Sequence, residues 1–430
     1  MANHWSKYNF LIELDNCKFL LYNSYTNNLM EVDNDDYNRL LQIKTGDFTN
    51  IPDSFLQELN DNSILVENDD TIFQKIKLTR LNNRFRSDTL LLAITPTMAC
   101  NFACPYCFEE NAQKGYTMTE DTINDIITLV KLYKNLQSLN VVWYGGEPLL
   151  GFDKIIEITK KIQQLPIDNY GAFMITNGYL LDKNKISKLK ELRISKIQIT
   201  IDGLENTHNQ RRPHKQKNDS FQKIISNLIE LYKEYPEIIT HIRVNLDKNN
   251  MDEFFELNDY LKSKIQNPLL ILYPAYVTEY NNSCKSSFCL LNQTDQANFA
   301  IKNGDKYSFD KFYYPQTSVS ECSARVMHNY VIGARGELYK CWCDVGNEDK
   351  IVGNIKDGIT NTNLYTKYMC DADPLYDKNC VECSYFPICN GGCPFVRLKH
   401  EESMDVCTIQ KNRLKDFLTL HYKKNENTES

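Results

Sequence analysis

Apolar and polar residues follow two different patterns along the chain. Residues 1–78 hold short apolar runs separated by turn signals such as Asp15-Asn16, which is typical of strands in hairpins followed by short capped helices. The predicted strands are Tyr8–Leu14, Lys18–Tyr22, Leu29–Val32 and Ser63–Glu67, and the predicted helices are Asp33–Gln42 and Asp53–Leu59. We therefore predict a small winged helix-turn-helix-like domain over residues 1–78.

Strand-like apolar runs alternate with amphipathic segments of helix length over residues 88–283, after a polar, basic linker at 79–88. The runs are Leu90–Thr95, Val141–Tyr144, Ala172–Thr176, Lys196–Ile201, His241–Asn245 and Leu269–Tyr273. Six strand–helix alternations without hairpin turns indicate a parallel sheet. Because a closed barrel of this kind needs eight units, we predict an α/β fold with an open, partial (β/α)6 TIM-like barrel.

The pattern changes again after residue 283. Residues 284–320 have mixed character and are predicted to form a bridge, while residues 321–412 are rich in Cys, Gly and Tyr and hold only short elements. A region that cannot build a large apolar core often uses metal to hold itself together. Residues 413–430 are predicted to be a helix end and a polar tail, of which KKNENTES is expected to be disordered.

Cysteine content and charge narrow the functional classes. The 430 residues include 15 cysteines, a large number for a chain with neither a secretory signal nor an apolar run long enough to span a membrane. We expect a cytoplasmic protein, where cysteines indicate metal more than disulfides, although isolated ones also serve as small buried hydrophobes. Residues 1–78 carry 13 acidic and 6 basic side chains, which argues against nucleic acid and suits a basic or amphipathic peptide.

Three cysteines lie close together in TPTMACNFACPYCFEEN, directly after the first barrel strand. Cys100, Cys104 and Cys107 have C-x3-C-x2-C spacing, whereas zinc sites usually use C-x2-C pairs that close a shell of four ligands. Three thiolates can hold three irons of a cubane cluster and leave the fourth iron open. Zinc with a distant fourth ligand is the alternative.

This spacing, with Tyr106 as the aromatic residue before the last cysteine, resembles the signature of radical S-adenosylmethionine enzymes. The resemblance implies that the open iron binds S-adenosylmethionine and that an electron from the cluster cleaves it to a 5′-deoxyadenosyl radical, which abstracts a hydrogen atom. It also implies an electron donor such as a flavodoxin or ferredoxin. Cys100, Cys104 and Cys107 are thus the predicted catalytic cluster ligands.

Later motifs resemble further parts of the same family. GGEP at 145–148 resembles its methionine-binding motif, ITNG at 175–178 ends the third strand, and ITIDG at 199–203 resembles S-x-DG followed by RRP. Two departures are Thr for Ser at 200, which keeps the hydroxyl, and Asn for Asp at 209. The residues implied to bind the cofactor are Tyr106, Gly145, Gly146, Glu147, Pro148, Thr176, Asn177, Thr200, Asp202, Arg211 and Arg243. For Arg211, an ordinary surface position is an equal alternative.

The C-terminal cysteines resemble the SPASM extension of this family, which carries auxiliary four-iron clusters. The resemblance implies one cluster on Cys380, Cys383, Cys389 and Cys407, and three ligands of another on Cys322, Cys341 and Cys393. The fourth ligand of the latter is open or is supplied by Cys343, with Cys284 and Cys289 as remoter candidates. Cys17 and Cys370 are expected to be structural or incidental. A zinc-ribbon-like module is the alternative to the predicted total of three 4Fe–4S clusters.

Two kinds of substrate are compatible with the resemblance. Peptide maturases form thioether or carbon–carbon crosslinks, or change stereochemistry, in ribosomal precursors, whereas anaerobic sulfatase maturases produce formylglycine. The segment of about 90 residues before Cys100 favours a peptide maturase, in which residues 1–78 bind the precursor's leader as an added strand. Asp344 is a candidate proton acceptor by likeness to sulfatase maturases, although its offset from Cys341 differs. A non-catalytic redox-sensing scaffold is the alternative outside enzymes.

Overall fold

The computed structural model describes the chain except residues 1–2, 15–17, 108, 110–114, 278–289, 305, 307–312, 319, 400–405, 412 and 430. It forms two compact units, each built from separated segments. We call Met1–Phe85, Asn292–Val326 and Cys370–Ser430 the terminal unit, and Arg86–Leu291 with Met327–Met369 the barrel unit. None of the described helices is long and apolar enough to cross a lipid bilayer.

The terminal unit begins with a small sheet and three helices. The elements are β1 (His4–Trp5), β2 (Asn9–Glu13), β3 (Phe19–Asn23), β4 (Asn28–Val32), α1 (Asn34–Lys44), α2 (Asp53–Asp61), β5 (Leu65–Val66) and α3 (Asp69–Phe85). Strands β2, β3 and β4 pair antiparallel in that order, and β1 pairs with β5. Their apolar faces enclose a core that includes Leu21, Leu40, Ile43 and Leu59. The predicted hairpin and both predicted helices are therefore present, with the turn at 15–17 outside the described residues.

The linker prediction for residues 79–88 is wrong, because α3 continues to Phe85. Two of its polar residues, Arg80 and Arg84, are buried, while others such as Asn82 stay exposed. The domain boundary at residue 78 stays a prediction, and α3 crosses it without a break.

The two α3 arginines belong to a buried ion network. Glu321 Oε1 accepts from Arg80 Nε at 2.9 Å and from Arg84 Nη2 at 3.1 Å, while its Oε2 accepts from Arg325 Nε at 2.9 Å. Arg84 Nη1 also contacts Asp373 Oδ2 at 2.5 Å. All five side chains are at most 3% exposed, so each charge depends on its partners for the solvation that water would otherwise give.

The barrel unit contains the six predicted parallel strands. They are β6 (Thr89–Ile94), β7 (Ser138–Trp143), β8 (Asn169–Thr176), β9 (Ile194–Thr200), β10 (Ile239–Leu246) and β11 (Leu270–Tyr276). The intervening helices are α4 (Glu120–Lys131), α5 (Phe152–Ile162), α6 (Lys183–Ile186), α7 (Glu205–Arg211), α8 (Ser220–Glu234) and α9 (Phe254–Lys264). The strands are neighbours in chain order from β6 to β11, as in a barrel built from successive strand–helix units. The prediction of an open, partial barrel is confirmed.

Four later strands extend this sheet beyond β6, which the sequence did not indicate. They are β12 (Tyr330–Ile332), β13 (Glu337–Tyr339), β14 (Gly353–Asn354) and β15 (Gly358–Ile359), followed by α11 (Thr362–Thr366). Strand β12 lies parallel to β6, and β13 returns antiparallel to β12. The segment after β13 therefore reaches the sheet edge where the first cysteine loop begins.

The remaining elements of the terminal unit are short, apart from two helices. They are α10 (Gln293–Lys302), α12 (Lys378–Val381), α13 (Phe386–Cys389), α14 (Pro394–Lys399) and α15 (Leu414–Glu429). The 3₁₀ turns of the two units include Pro148–Gly151, Ser323–Arg325 and Trp342–Asp344. The C-terminal tail, which composition predicts to be disordered, continues as helix α15 to Glu429. Leu414 and Leu418 of α15 pack on Ile12 and Leu20 of the N-terminal sheet.

We predict that Arg84→Ala destabilises the protein by about 3–5 kcal/mol, because it leaves Glu321 and Asp373 with a buried carboxylate charge that has lost a partner. The midpoint of urea unfolding measures the change. Arg39→Ala is the matched control, since Arg39 pairs with Asp36 at the surface and its loss should cost about 0–1 kcal/mol. Equal effects of the two substitutions would contradict the role of the network.

Candidate functional site

The three clustered cysteines line a cavity of about 490 Å³ at the C-terminal ends of the barrel strands. The loop that carries them follows β6, and its backbone is held by local bonds: Phe102 N donates to Cys100 Sγ at 3.4 Å and Cys107 N to Cys104 O at 3.1 Å. In parallel sheets this edge collects ligand-binding loops. The position matches the prediction from chain order.

Several predicted cofactor residues face the same cavity from successive strands. Those that line it are Cys100, Cys104, Tyr106, Cys107, Gly145, Gly146, Thr176, Asn177, Thr200, Arg243 and Cys343. Those absent from its described lining are Glu147, Pro148, Asp202, Arg211 and Asp344. The first group is therefore placed to contact a molecule bound in this cavity.

The thiols are buried, which affects their ionisation. Burial raises the pKa of Cys100 to about 12 and also raises the pKa values of Cys104 and Cys107, while the Arg212 charge opposes the shift at Cys104. Cysteine binds metal as thiolate, so these groups ionise when a positive partner compensates the charge. The donor set fits an iron–sulfur cluster. No three His, Cys, Asp or Glu side chains among the described residues are arranged to hold a single metal ion.

The GGEP segment packs closely against the backbone at the start of the cysteine loop. A Cβ atom on Gly146 would overlap the carbonyl oxygens of Met98 and Ala99, and Gly145 adopts φ +106° against Thr95. Glu147 N donates to Ala99 O at 2.8 Å. The glycines are therefore required where two backbones meet, in addition to any contact with a ligand.

Glu147 joins two neighbouring strand ends. Its fully buried carboxylate accepts from Thr176 Oγ1 at 2.6 Å, from Asn177 N at 2.8 Å and from Leu149 N at 3.0 Å. Burial raises the pKa of Glu147, and these three donors oppose the shift. The carboxylate thus fixes the loop after β8 relative to the loop after β7.

Tyr106 is the centre of a polar network that links the cysteine loop to β9 and β10. Its hydroxyl donates to the Asp202 carboxylate and accepts from Arg212 Nη1 at 2.7 Å and Asn245 Nδ2 at 3.3 Å. Asp202 also accepts from Asn245 N at 2.9 Å. Asp202 therefore positions Tyr106 and does not reach the cavity itself.

Of two adjacent arginines, the structure places the second at the cavity. Arg211, the predicted carboxylate partner, pairs with Asp247 Oδ2 at 2.7 Å and donates to Asn245 O at 3.0 Å. Arg212 lines the cavity, and its buried Nε has no hydrogen-bond partner among the described residues. The RRP motif at 211–213 predicted that an arginine lies near the cofactor, but it did not indicate which of the two arginines.

Other cavity residues had no motif to identify them. They include Glu109, Tyr144, Phe173, Gln198, Tyr276 and Trp342. Asn245, which together with Arg243 in HIRVNLD resembles a family pattern, also lines the cavity. Burial raises the pKa of Glu109 to about 7. The one sequence feature that most of them share is that they lie at or after the end of a predicted strand.

The segment after β13 brings Trp342 and Cys343 to the cavity. A hydrogen bond with Cys343, together with burial, raises the pKa of Cys341. Asp344 is 1% exposed and its carboxylate accepts from the Tyr368 hydroxyl, so it lies behind this segment.

The C-terminal cysteines are divided between the units. Cys341 and Cys343 belong to the barrel unit, whereas Cys322, Cys380, Cys383, Cys389, Cys393 and Cys407 belong to the terminal unit. Gly392, at φ +74°, leaves no room for a Cβ beside Val406, so the loop before Cys393 runs against the segment that carries Cys407. Cys370 is exposed. Cys17, Cys284 and Cys289 lie outside the described residues.

Comparisons with known proteins agree with this geometry. The model of the radical SAM superfamily matches residues 94–261. The cysteine-type anaerobic sulfatase-maturating enzyme of Clostridium perfringens (strain 13 / Type A) is 24% identical over 343 residues, which cover 73% of this chain and 91% of the relative. The radical SAM cyclopropyl synthase TigE of Paramaledivibacter caminithermalis is 25% identical over 434 residues, covering 90% of this chain and 89% of the relative.

A solved structure extends the likeness of fold to nearly the whole chain. Streptococcus suis SuiB with bound S-adenosylmethionine has a TM-score of 0.53 and 16% identity, and covers 93% of this chain and 97% of its own. A further structure of SuiB holds the precursor peptide SuiA.

We predict that Gly146→Ala removes most of the iron bound by the cysteine loop, because the new methyl group displaces the Met98 and Ala99 carbonyls at a cost of about 1–3 kcal/mol or more. Iron and sulfide analysis after anaerobic reconstitution measures this. Gly171→Ala is the matched control on β8, where the nearest atom to an added methyl is Asn140 Oδ1 at 3.8 Å. Full iron loading of Gly146→Ala would refute the steric argument.

Proposed function

We propose that the chain is a radical SAM enzyme of the SPASM type, which the superfamily match over residues 94–261 supports, and that it matures a ribosomally made precursor peptide. It would abstract a hydrogen atom from the peptide and install a thioether or carbon–carbon crosslink, or another covalent change. The observation that carries this proposal is one cavity in which three cysteine thiols face side chains from the ends of five successive parallel strands.

The residues of the cavity have different proposed roles. A 4Fe–4S cluster held by Cys100, Cys104 and Cys107 would supply the electron that cleaves S-adenosylmethionine to a 5′-deoxyadenosyl radical. Arg212 places a buried positive charge beside these thiols, where it favours a carboxylate, and Thr200 offers a hydroxyl. Apolar side chains such as Phe173, Ile175 and Trp342 exclude water from the same space.

The extent of the matches favours a peptide maturase. The sulfatase-maturating relative leaves about a quarter of this chain unmatched, whereas TigE and SuiB cover 90% and 93% of it. SuiB is also a protein with a solved precursor-peptide complex. The matches to TigE and SuiB therefore include the N-terminal part of this chain to a greater extent than the match to the sulfatase-maturating enzyme does.

A groove in the terminal unit suits a leader peptide. It has a volume of about 480 Å³ and runs between the edge strand β4 and helix α15. Within the described residues β4 pairs with β3 alone, so its outer edge can accept an extended peptide as an added strand. Glu31 and Glu426 line the groove, and Lys18 pairs with both of them and offsets one of the two charges. The net negative charge that is left supports a leader segment with basic side chains.

Formylglycine formation is the second candidate, favoured by the sequence likeness to the sulfatase-maturating enzyme. The prediction that Asp344 accepts a proton belongs to this alternative. Asp344 is buried behind Trp342 and Cys343, which line the cavity in its place. This placement supports the peptide maturase over the sulfatase maturase.

We also propose one auxiliary cluster on Cys380, Cys383, Cys389 and Cys407, all of which lie in the terminal unit. The set of Cys322, Cys341 and Cys393, with Cys343 as a candidate addition, is divided between the units and stays a sequence-based prediction. The electron donor is proposed to be a flavodoxin or ferredoxin.

We predict that Cys104→Ala abolishes formation of 5′-deoxyadenosine, because the catalytic cluster loses one of its three ligands, while the two predicted auxiliary clusters keep their iron. With three cubane clusters the wild-type chain holds about 12 iron atoms and the variant about 8. Chromatography of the nucleoside and iron analysis provide the two readouts. Cys370→Ala, at an exposed cysteine, is the control and should change neither. Continued nucleoside formation by Cys104→Ala would exclude this loop as the catalytic site.

We predict that Glu31→Lys weakens leader binding about five- to tenfold, because it reverses one charge in the groove, worth about 1 kcal/mol. The probe is a labelled synthetic leader from an open reading frame beside this gene, followed by fluorescence anisotropy. Glu13→Lys makes the same charge change on β2, the opposite edge of the sheet, and should leave binding within about twofold.

Point variants suit this test better than deletion of residues 1–78, since α3 crosses residue 78 and carries Arg80 and Arg84 into the buried network. Nucleoside formation without peptide should be equal in both variants. Equal loss of leader binding in both would place the leader elsewhere.

A further inference from the structure

Cationic side chains contact the sulfur atoms of two cysteines in the set that we assign to one auxiliary cluster. Arg397 on α14 directs Nη1 to Cys380 Sγ at 3.7 Å, and Lys411 directs Nζ to Cys407 Sγ at 3.1 Å. The two contacts come from different segments of the terminal unit. Each segment thus supplies one positive charge to one sulfur.

The contact at Cys380 is partly enclosed. The Arg397 side chain is 11% exposed, so water screens its charge only weakly. Arg397 also pairs with Asp377 Oδ2 at 2.5 Å and donates to Gly391 O at 3.2 Å. Asp377 itself lies 3.5 Å from the Cys380 sulfur. One sulfur therefore has a cation and an anion beside it.

These charges have a definite effect on a cluster bound there. A cluster held by four thiolates is anionic and becomes more so when it takes up an electron, so nearby N–H donors and positive charges favour the reduced state. The donor set of four cysteines, two of them facing cations, fits such a group. We propose that Arg397 and Lys411 are positioning residues that raise the reduction potential of the cluster at Cys380, Cys383, Cys389 and Cys407, an inference that rests on the proposed function.

A purely structural role for Arg397 makes a different prediction. If the arginine served only to pair with Asp377, removing either partner would disturb the site in the same way. If its charge acts on the sulfur, removing Arg397 and removing Asp377 must shift the potential in opposite directions. The pair therefore distinguishes electrostatics from loss of structure.

The test is a redox titration of the full-length holoenzyme with dithionite and mediators, followed by electron paramagnetic resonance. Arg397→Gln and Lys411→Gln should each move the midpoint of one signal to more negative potential, and Asp377→Asn should move it to more positive potential. Lys399→Gln on α14, whose ammonium lies over Phe395, and Arg413→Gln, which pairs with Asp416, remove the same charge without a sulfur contact and should leave the midpoint in place.

The signal is assigned by its disappearance in Cys407→Ala. If the signal is present and Arg397→Gln and Lys411→Gln move it no further than the two controls do, this inference fails while the cluster assignment stands. A shift of the same sign in Arg397→Gln and Asp377→Asn also overturns it. Absence of the signal from the wild-type protein, with iron confined to the loop at Cys100, overturns the cluster assignment and this inference together.

Discussion

Parallel strands all end at the same edge of a sheet, and this constraint fixes where chemistry can occur in the barrel unit. The C-terminal ends of β8 to β10 and the loops that follow β6 to β9 bring cysteines, glycines, hydroxyls and arginines to one cavity, although these residues are spread over nearly 150 residues of sequence. Glu147 makes that convergence rigid, because its buried carboxylate holds the loops after β7 and β8 together. The cysteine loop rests on this pair of loops through the close contact at Gly146.

Sequence patterns were informative where a residue's role depends on spacing along the chain. The six strands and the order of their loops followed from hydrophobic periodicity, and the cysteine triplet was recognisable from its spacing alone. The direction in which a side chain points within its loop could not be predicted from spacing. Glu147 and Asp202 belong to recognisable motifs but face other protein groups, among them Tyr106, and Arg212 lines the cavity where the sequence predicted Arg211.

The wrong predictions for residues 79–85 and for the C-terminal tail have a common physical cause. Residues 79–85 and the C-terminal tail are polar, and polar segments without an apolar stripe are ordinarily solvated. Here tertiary contacts override composition. Arg80 and Arg84 are buried because Glu321 and Asp373, far away in sequence, meet them as counter-charges. The local sequence around Arg80 and Arg84 does not show that such distant partners exist.

The pairing of the chain's two ends has a consequence for biosynthesis. The N-terminal sheet is synthesised long before Leu414 and Leu418, which cover Ile12 and Leu20. Contacts of such long sequence separation form slowly, because the intervening chain must first be brought together. Until then one apolar face of the sheet stays in water, where it is prone to association. The N-terminal sheet is therefore completed only long after its own residues have been synthesised.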